Sequence, residues 1–184
     1  GGGVILGKAS ALLTQLDRKY QIPVTGTLMG LGSFPGTDPL WMGMLGMHGT
    51  YYANMAISHC ALLLAVGVRF DDRVTGTIET FAANAKIVQI DIDPSSINRN
   101  VAVDLPIIGD TKATLTDLIK FLAEHNYAQT PEARQEWLGQ ISGWKEKVPL
   151  TYCQNSKEIK PQNVIETLFK LTKGDAIITT EVGQ

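Results

Sequence analysis

Four charges stand within five residues at Arg69, Asp71, Asp72 and Arg73. A guanidinium presents a planar fork of donors suited to phosphate oxygens. Carboxylates between two such forks suit ligand hydroxyls, so the cluster could clamp a ligand that carries both groups. The same charges also fit a solvated loop with internal ion pairs. Asp91 closes the run KIVQI. In a nucleotide-binding sheet an acidic residue at a strand end accepts hydrogen bonds from ribose hydroxyls. An Asp that opens the turn IDPSSI is the competing reading.

The opening GGGVILGK has the spacing of a phosphate loop, with Gly2, four residues, then Gly7 and Lys8. Two defects count against nucleotide triphosphate binding. Ala9 stands where a magnesium-holding hydroxyl is needed, and Val4, Ile5 and Leu6 are too bulky to cradle phosphate oxygens. The pattern G-x-G-x-x-G also fails, because its third glycine falls at Gly7 rather than at Leu6. A glycine turn ahead of a helix still lets backbone approach an anion, so a diphosphate without magnesium fits, as does a tight turn with no ligand.

His48 lies in a glycine-rich loop with no second histidine at metal spacing and no nucleophile motif beside it. Metal ligation is therefore not expected, at His48 or elsewhere. Met42, Met44 and Met47 in the same loop could pack a flat aromatic ring or fill gaps in a core.

The elements that must position these groups follow from pattern. Residues 8–20 carry Ala9, Leu12, Leu13, Leu16 and Tyr20 on one helical face, and Pro23 ends that helix. PVTGT is a short strand candidate, MGLGSFPGTDP a loop, and Thr50 a cap for a helix over 51–59. Residues 61–66 (ALLLAV) read as a strand buried on both faces, followed by a charged loop VRFDDRVTG. Residues 86–90 and 106–108 read as two more strands, and Asp110 or Thr111 caps a helix with Leu115, Leu118, Ile119 and Leu122 inward. The opening glycines and VIL read as a strand end and its turn. Alternation of strand and helix predicts an α/β fold, a Rossmann-like parallel sheet with helices on both faces. Ligands of such sheets sit beyond the carboxyl ends of the strands, so GGG, TLMG, VRFDDR, Asp91 and Gly109-Asp110 should line one crevice.

Residues 124–158 are polar, with scattered Trp137 and Trp144, and read as a helical linker. Pro161 opens a further helix whose predicted buried face is Val164, Ile165, Leu168 and Leu171, followed by a strand AIITT. Both ends of the chain read as cuts through a longer protein.

Bulk properties exclude several classes. The 184 residues are 44% apolar and 18% charged, with a formal charge of −2. That gives no electrostatic footprint for nucleic acid or an anionic membrane. No apolar run reaches the roughly 18 residues of a membrane span. Cys60 and Cys153 lie in no metal spacing and form no disulfide framework, which suits a reducing compartment.

The strings TLMGLGSFPGTDP, GMLGMHGTYYANMA, LLLAVGVRFDDRVTG, KIVQIDIDPSSI and IIGD occur in that order. Together they closely resemble the middle domain of the acetohydroxyacid synthase (acetolactate synthase) catalytic subunits, which are thiamine-diphosphate enzymes. The resemblance implies three parts. Residues 1–122 would be a central FAD-binding domain with its first strand truncated, 123–159 a linker, and 160–184 the start of a C-terminal thiamine-diphosphate domain. It implies FAD contacts at Gly1, Gly2, Gly3, Thr27, Leu28, Met29, Met47, His48 and Gly49. It implies more at Gly67, Val68, Arg69, Asp71, Arg73, Val74, Asp91, Ile92, Gly109 and Asp110. Val182, Gly183 and Gln184 resemble the start of a loop that contacts thiamine diphosphate.

The resemblance further implies condensation of two pyruvates, or of pyruvate with 2-oxobutyrate, with loss of CO2, in branched-chain amino acid biosynthesis. The reaction has no net redox change, so FAD would be structural. The catalytic glutamate and the magnesium ligands fall outside these residues, so no catalytic residue is expected here and the piece alone should be inactive. Homodimers or tetramers, possible pairing with a regulatory small subunit, and a bacterial cytoplasm or a plastid are implied as well. A flavin-dependent pyruvate oxidase and a non-catalytic nucleotide-binding module are the alternatives.

Overall fold

A computed structural model describes residues 1–125, 127, 131–153 and 157–180, with backbone alone at 131–133. Two compact units divide the chain after Val148.

Among the described residues the first unit contains five strands: β1 (Val24–Gly26), β2 (Trp41–Met44), β3 (Leu62–Val66), β4 (Lys86–Asp91) and β5 (Leu105–Ile108). Every pairing is parallel, β1 with β2, and β3, β4 and β5 in that order. Leu62 stands opposite Lys86 and Val66 opposite Ile90, while Asp91 stands opposite Ile108. Because the strands run the same way, the residues that leave β3, β4 and β5 emerge side by side.

Among the described residues six α-helices accompany them: α1 (Gly2–Leu6), α2 (Ser10–Tyr20), α3 (Tyr51–His59), α4 (Asp72–Thr75), α5 (Thr111–Glu124) and α6 (Pro131–Lys147). Strand side chains alternate between two faces, and this builds two cores. Leu63, Ala65 and Ile87 pack with Ala53, Ala56 and Ile57 of α3 and with Trp137, Ile141 and Trp144 of α6. Leu64, Val66, Ile90 and Ile107 pack with Leu13, Leu16 and Tyr20 of α2 and with Leu115, Leu118, Ile119 and Leu122 of α5. The expected parallel sheet with helices on both faces is present.

Several local expectations are corrected. The opening glycines form a helical turn rather than a strand end: Gly3 O accepts from Gly7 N at 2.9 Å, and Val4 is fully buried. Glycine permits either conformation, and burial of Val4 decides between them. β2 lies in a stretch with no strand signal. It forms because the Trp41 ring lies on Gly26, where an added methyl would stand 2.6 Å from Trp41 Cη2. The loop after β3 contains the single turn α4. β3 itself is buried only at Ala65 and Val66, and Leu62 is 61% exposed.

The polar stretch read as a linker holds α6, which lies on α3. Trp137, Ile141 and Trp144 recur at helical spacing and make a narrow apolar stripe. The Trp144 ring packs on His59 with centroids 5.3 Å apart. Lys145 Nζ donates to Pro39 O at 3.0 Å and to Trp41 O at 3.1 Å.

In the second unit Pro161 occupies the first turn of α7 (Pro161–Thr172), as expected. Its apolar stripe is not buried: Val164, Ile165, Leu168 and Leu171 all count as exposed. Residues 176–180, expected as a strand, have no strand pairing. The physical reason is shared. An apolar stripe is buried only under a second layer, and a strand is defined by a partner. Among the described residues of this unit neither is present. Val182, Gly183 and Gln184 lie outside the described residues. Among the described residues no helix is long and apolar enough to cross a membrane.

Candidate functional site

Five segments meet at the carboxyl edge of the strands, and backbone contacts tie each to the next. Gly1 N donates to Val66 O at 2.8 Å, and Gly3 N donates to Gly67 O at 3.2 Å. Gly67 N donates in turn to Ile90 O at 2.8 Å. Gly67 has φ +60°, and a methyl on it would stand 2.5 Å from Gly3 Cα. Only glycine allows this approach. On the other flank, an added methyl on Gly2 would lie 3.2 Å from Met29 Cβ, which puts the Thr27–Met29 segment against the glycine trio.

Met47 N donates to Arg73 O at 2.9 Å, and Gly46 abuts the same carbonyl. The His48 loop therefore rests on the Arg69–Val74 segment. Gly109 N donates to Asp91 O at 2.9 Å, which joins the last two strand ends. The structure thus brings together all the segments predicted to share a crevice.

The side chains along this edge are mixed in kind. Leu28, Met29, Met47 and Ile92 are apolar yet 65–76% exposed. His48 is exposed beside them. Arg69 and Arg73 point outward with side chains 68% and 67% exposed. Their pairs with Asp71 and Asp72 are long, 3.6 and 3.8 Å, and solvent-screened. Both guanidinium groups are thus open to an anionic ligand. A hydrogen bond from Asp72, together with the Arg69 charge and the Arg73 N–H, holds the Asp71 carboxyl below the usual carboxylate range.

Asp91 is buried, and its Oδ1 accepts from Asp93 N at 2.9 Å. Asp110 acts as the cap of α5, its Oδ1 accepting from Ala113 N at 2.9 Å. Both acidic residues therefore also hold the turn or helix that competed with the ligand reading. Among the described residues no group of three or more His, Cys, Asp or Glu side chains could hold a metal ion. Cys60 and Cys153 are free thiols.

Two polar residues that the sequence reading passed over also belong to this edge. Gln89 Nε2 donates to Val68 O, and Asn100 Nδ2 donates to Phe70 O, each at 2.8 Å. Gln89 carried a signal, since it interrupts the apolar run of a buried strand. Asn100, in a polar turn, carried none.

Residues 1–118 match the family described as the central domain of thiamine pyrophosphate enzymes. The chain belongs to this family. All 184 residues of this central-domain chain also align with longer curated relatives. It is 46% identical to the acetolactate synthase large subunit of Buchnera aphidicola subsp. Schlechtendalia chinensis. It is 44% identical to the acetolactate synthase isozyme 3 large subunit of Escherichia coli (strain K12). It is 44% identical to the acetolactate synthase large subunit of the alga Cyanidium caldarium. The chain spans 32%, 32% and 31% of those relatives' lengths, respectively.

Proposed function

We propose that this chain is the central, flavin-holding part of an acetolactate synthase large subunit. The observation that carries the reading is identity of 44–46% across every residue of the chain to proteins of that name. The whole enzyme would condense two pyruvates, or pyruvate and 2-oxobutyrate, into a 2-aceto-2-hydroxy acid with release of CO2. Bound thiamine diphosphate would supply the electron sink that a decarboxylating 2-oxo acid needs. Its diphosphate would be met by Val182, Gly183 and Gln184, and its magnesium by residues beyond this chain.

The crevice fits an extended dinucleotide on several counts. Gly1–Gly3 and Gly67 give it a floor without side chains, although the N–H groups of Gly1, Gly3 and Gly67 are already given to Val66, Gly67 and Ile90. Arg69 and Arg73 are open forks. Leu28, Met29 and Met47 offer exposed apolar surface to a flat ring system, and the Asp91 carboxylate can accept from ribose hydroxyls. FAD spans those chemistries in one molecule. It would order these loops rather than carry electrons, because the condensation has no net redox change.

On this reading 1–122 is the FAD domain, 123–159 the connection and 160–184 the opening of the thiamine-diphosphate domain. The complete subunits would assemble as homodimers or tetramers, with a regulatory small subunit where one exists, in a bacterial cytoplasm or a plastid. Expressing the full-length subunit tests the proposal. Acetolactate formed from pyruvate, dependent on thiamine diphosphate, magnesium and FAD, is the expected result. Formation of hydrogen peroxide in its place would assign a pyruvate oxidase.

A further inference from the structure

Arg69 is held from both sides. The carbonyl oxygens of its two neighbours are each taken by a side-chain amide from elsewhere in the fold. Gln89 Nε2 donates to Val68 O at 2.8 Å. Asn100 Nδ2 donates to Phe70 O at 2.8 Å. Gln89 lies inside β4 with no exposed surface, and its amide also reaches Ser96 O at 3.3 Å. Its Oε1 is buried with no hydrogen-bond partner.

A buried strand position between Val88 and Ile90 favours an apolar side chain. An amide with one unpaired oxygen is unfavourable there unless its N–H groups are needed. Phe70 adds a second mark. It has φ +53°, a left-handed conformation that bulky residues rarely adopt. Its ring is buried and stands edge-on to Phe81 at 5.7 Å. Strained backbone of this kind persists where the surroundings over-determine it. Yet the Arg69 side chain above it is 68% exposed, with only a 3.6 Å pair to Asp71. The backbone under Arg69 is fixed while its guanidinium is free.

We propose that Gln89 and Asn100 are positioning residues for Arg69. They preset its backbone, so that only the Arg69 side chain is left to order when a phosphate group binds. This rests on the flavin reading above.

The test is a double-mutant cycle on the full-length subunit, stripped of flavin and titrated with FAD. Gln89→Met keeps the length of the side chain and removes both donors. Asn100→Ala is made at an exposed position and spares the core, so it serves if Gln89→Met does not fold. Each is made with Arg69 present and in an Arg69→Ala background. Each brace variant is expected to weaken FAD about ten-fold with Arg69 present, and less than about two-fold without it. Equal weakening in both backgrounds would mean general damage to the fold and overturns the proposal, as does unchanged affinity with Arg69 present. A wild-type subunit that binds no FAD removes the flavin reading and this inference together. A wild type that binds FAD and responds to Arg69→Ala, but not to either brace variant, removes this inference alone.

Discussion

Gly3 and Gly67 meet backbone to backbone. The Gly3 N–H reaches Gly67 O at 3.2 Å, and a methyl on Gly67 would stand 2.5 Å from Gly3 Cα. This contact fixes the first turn of the chain against the end of β3, and so sets the floor of the proposed crevice. Gly67→Ala should be doubly penalised, by its φ of +60° and by the clash. We expect a loss of about 1–3 kcal/mol of stability and a subunit that purifies with less flavin. Thermal unfolding and the flavin-to-protein ratio check this together.

Arg69→Ala should weaken FAD binding by about 1.5–3 kcal/mol, the worth of one charge-assisted hydrogen bond. The loss should shrink as salt rises, because the guanidinium is exposed and screened. Titration at low and high ionic strength reads both effects. Unchanged affinity at low salt would remove Arg69 from the site.

Thr50→Ala should destabilise the edge without touching the ligand. Thr50 Oγ1 accepts from Ala53 N at 3.1 Å as the cap of α3 and donates to Met42 O in β2 at 2.7 Å. Losing both bonds is expected to remove about 1–2 kcal/mol. Thr50→Ser, which keeps the hydroxyl, should restore most of it in denaturant unfolding.

Asp17 gives a pH signature away from the crevice. Burial, and then the charge of Asp38, push its carboxyl up to about 7, and its Oδ2 has no hydrogen-bond partner. Asp38 itself is held below the usual range by the Leu40 N–H and by Arg18, whose Nε donates to it at 2.7 Å. Asp17 is protonated in the folded state and ionised in the unfolded state between about pH 4 and 7. The folded state therefore holds the extra proton, and stability falls as pH rises through that window. The penalty reaches about 4 kcal/mol above pH 7. Asp17→Asn should flatten the slope, and paired melting curves from pH 4 to 8 would show it.

How much of this was legible in the sequence depended on whether a residue's signal was local. Thr50 announced its cap, and Asp110 or Thr111 the next, of which the structure uses Asp110, because a hydroxyl or carboxylate ahead of an apolar-patterned helix has one common use. The runs read as strands at 61–66 and 86–90 are strands, because apolar residues between turn signals suit a parallel sheet. β2 was hidden because its cause is the Trp41 ring lying across Gly26, a long-range contact. α1 was misread because glycine serves a helical turn as readily as a bend, and burial of Val4 chose between them. The helix of α6 was legible as a helical linker, but its packing on α3 was not, because its polar residues outnumber a stripe of three. Gln89 and Asn100 were missed because their role lies in the carbonyls of Val68 and Phe70, 21 and 30 residues away.

The most direct measurement is titration of the flavin-stripped, full-length subunit with FAD and with FMN, followed by flavin fluorescence. An outstretched dinucleotide that uses both the Met29–Met47 end and the Asp91 end should saturate near one FAD per chain. It should bind far more tightly than FMN, and ADP should compete with it. No saturable binding, or equal affinity for FMN and FAD, would contradict the account.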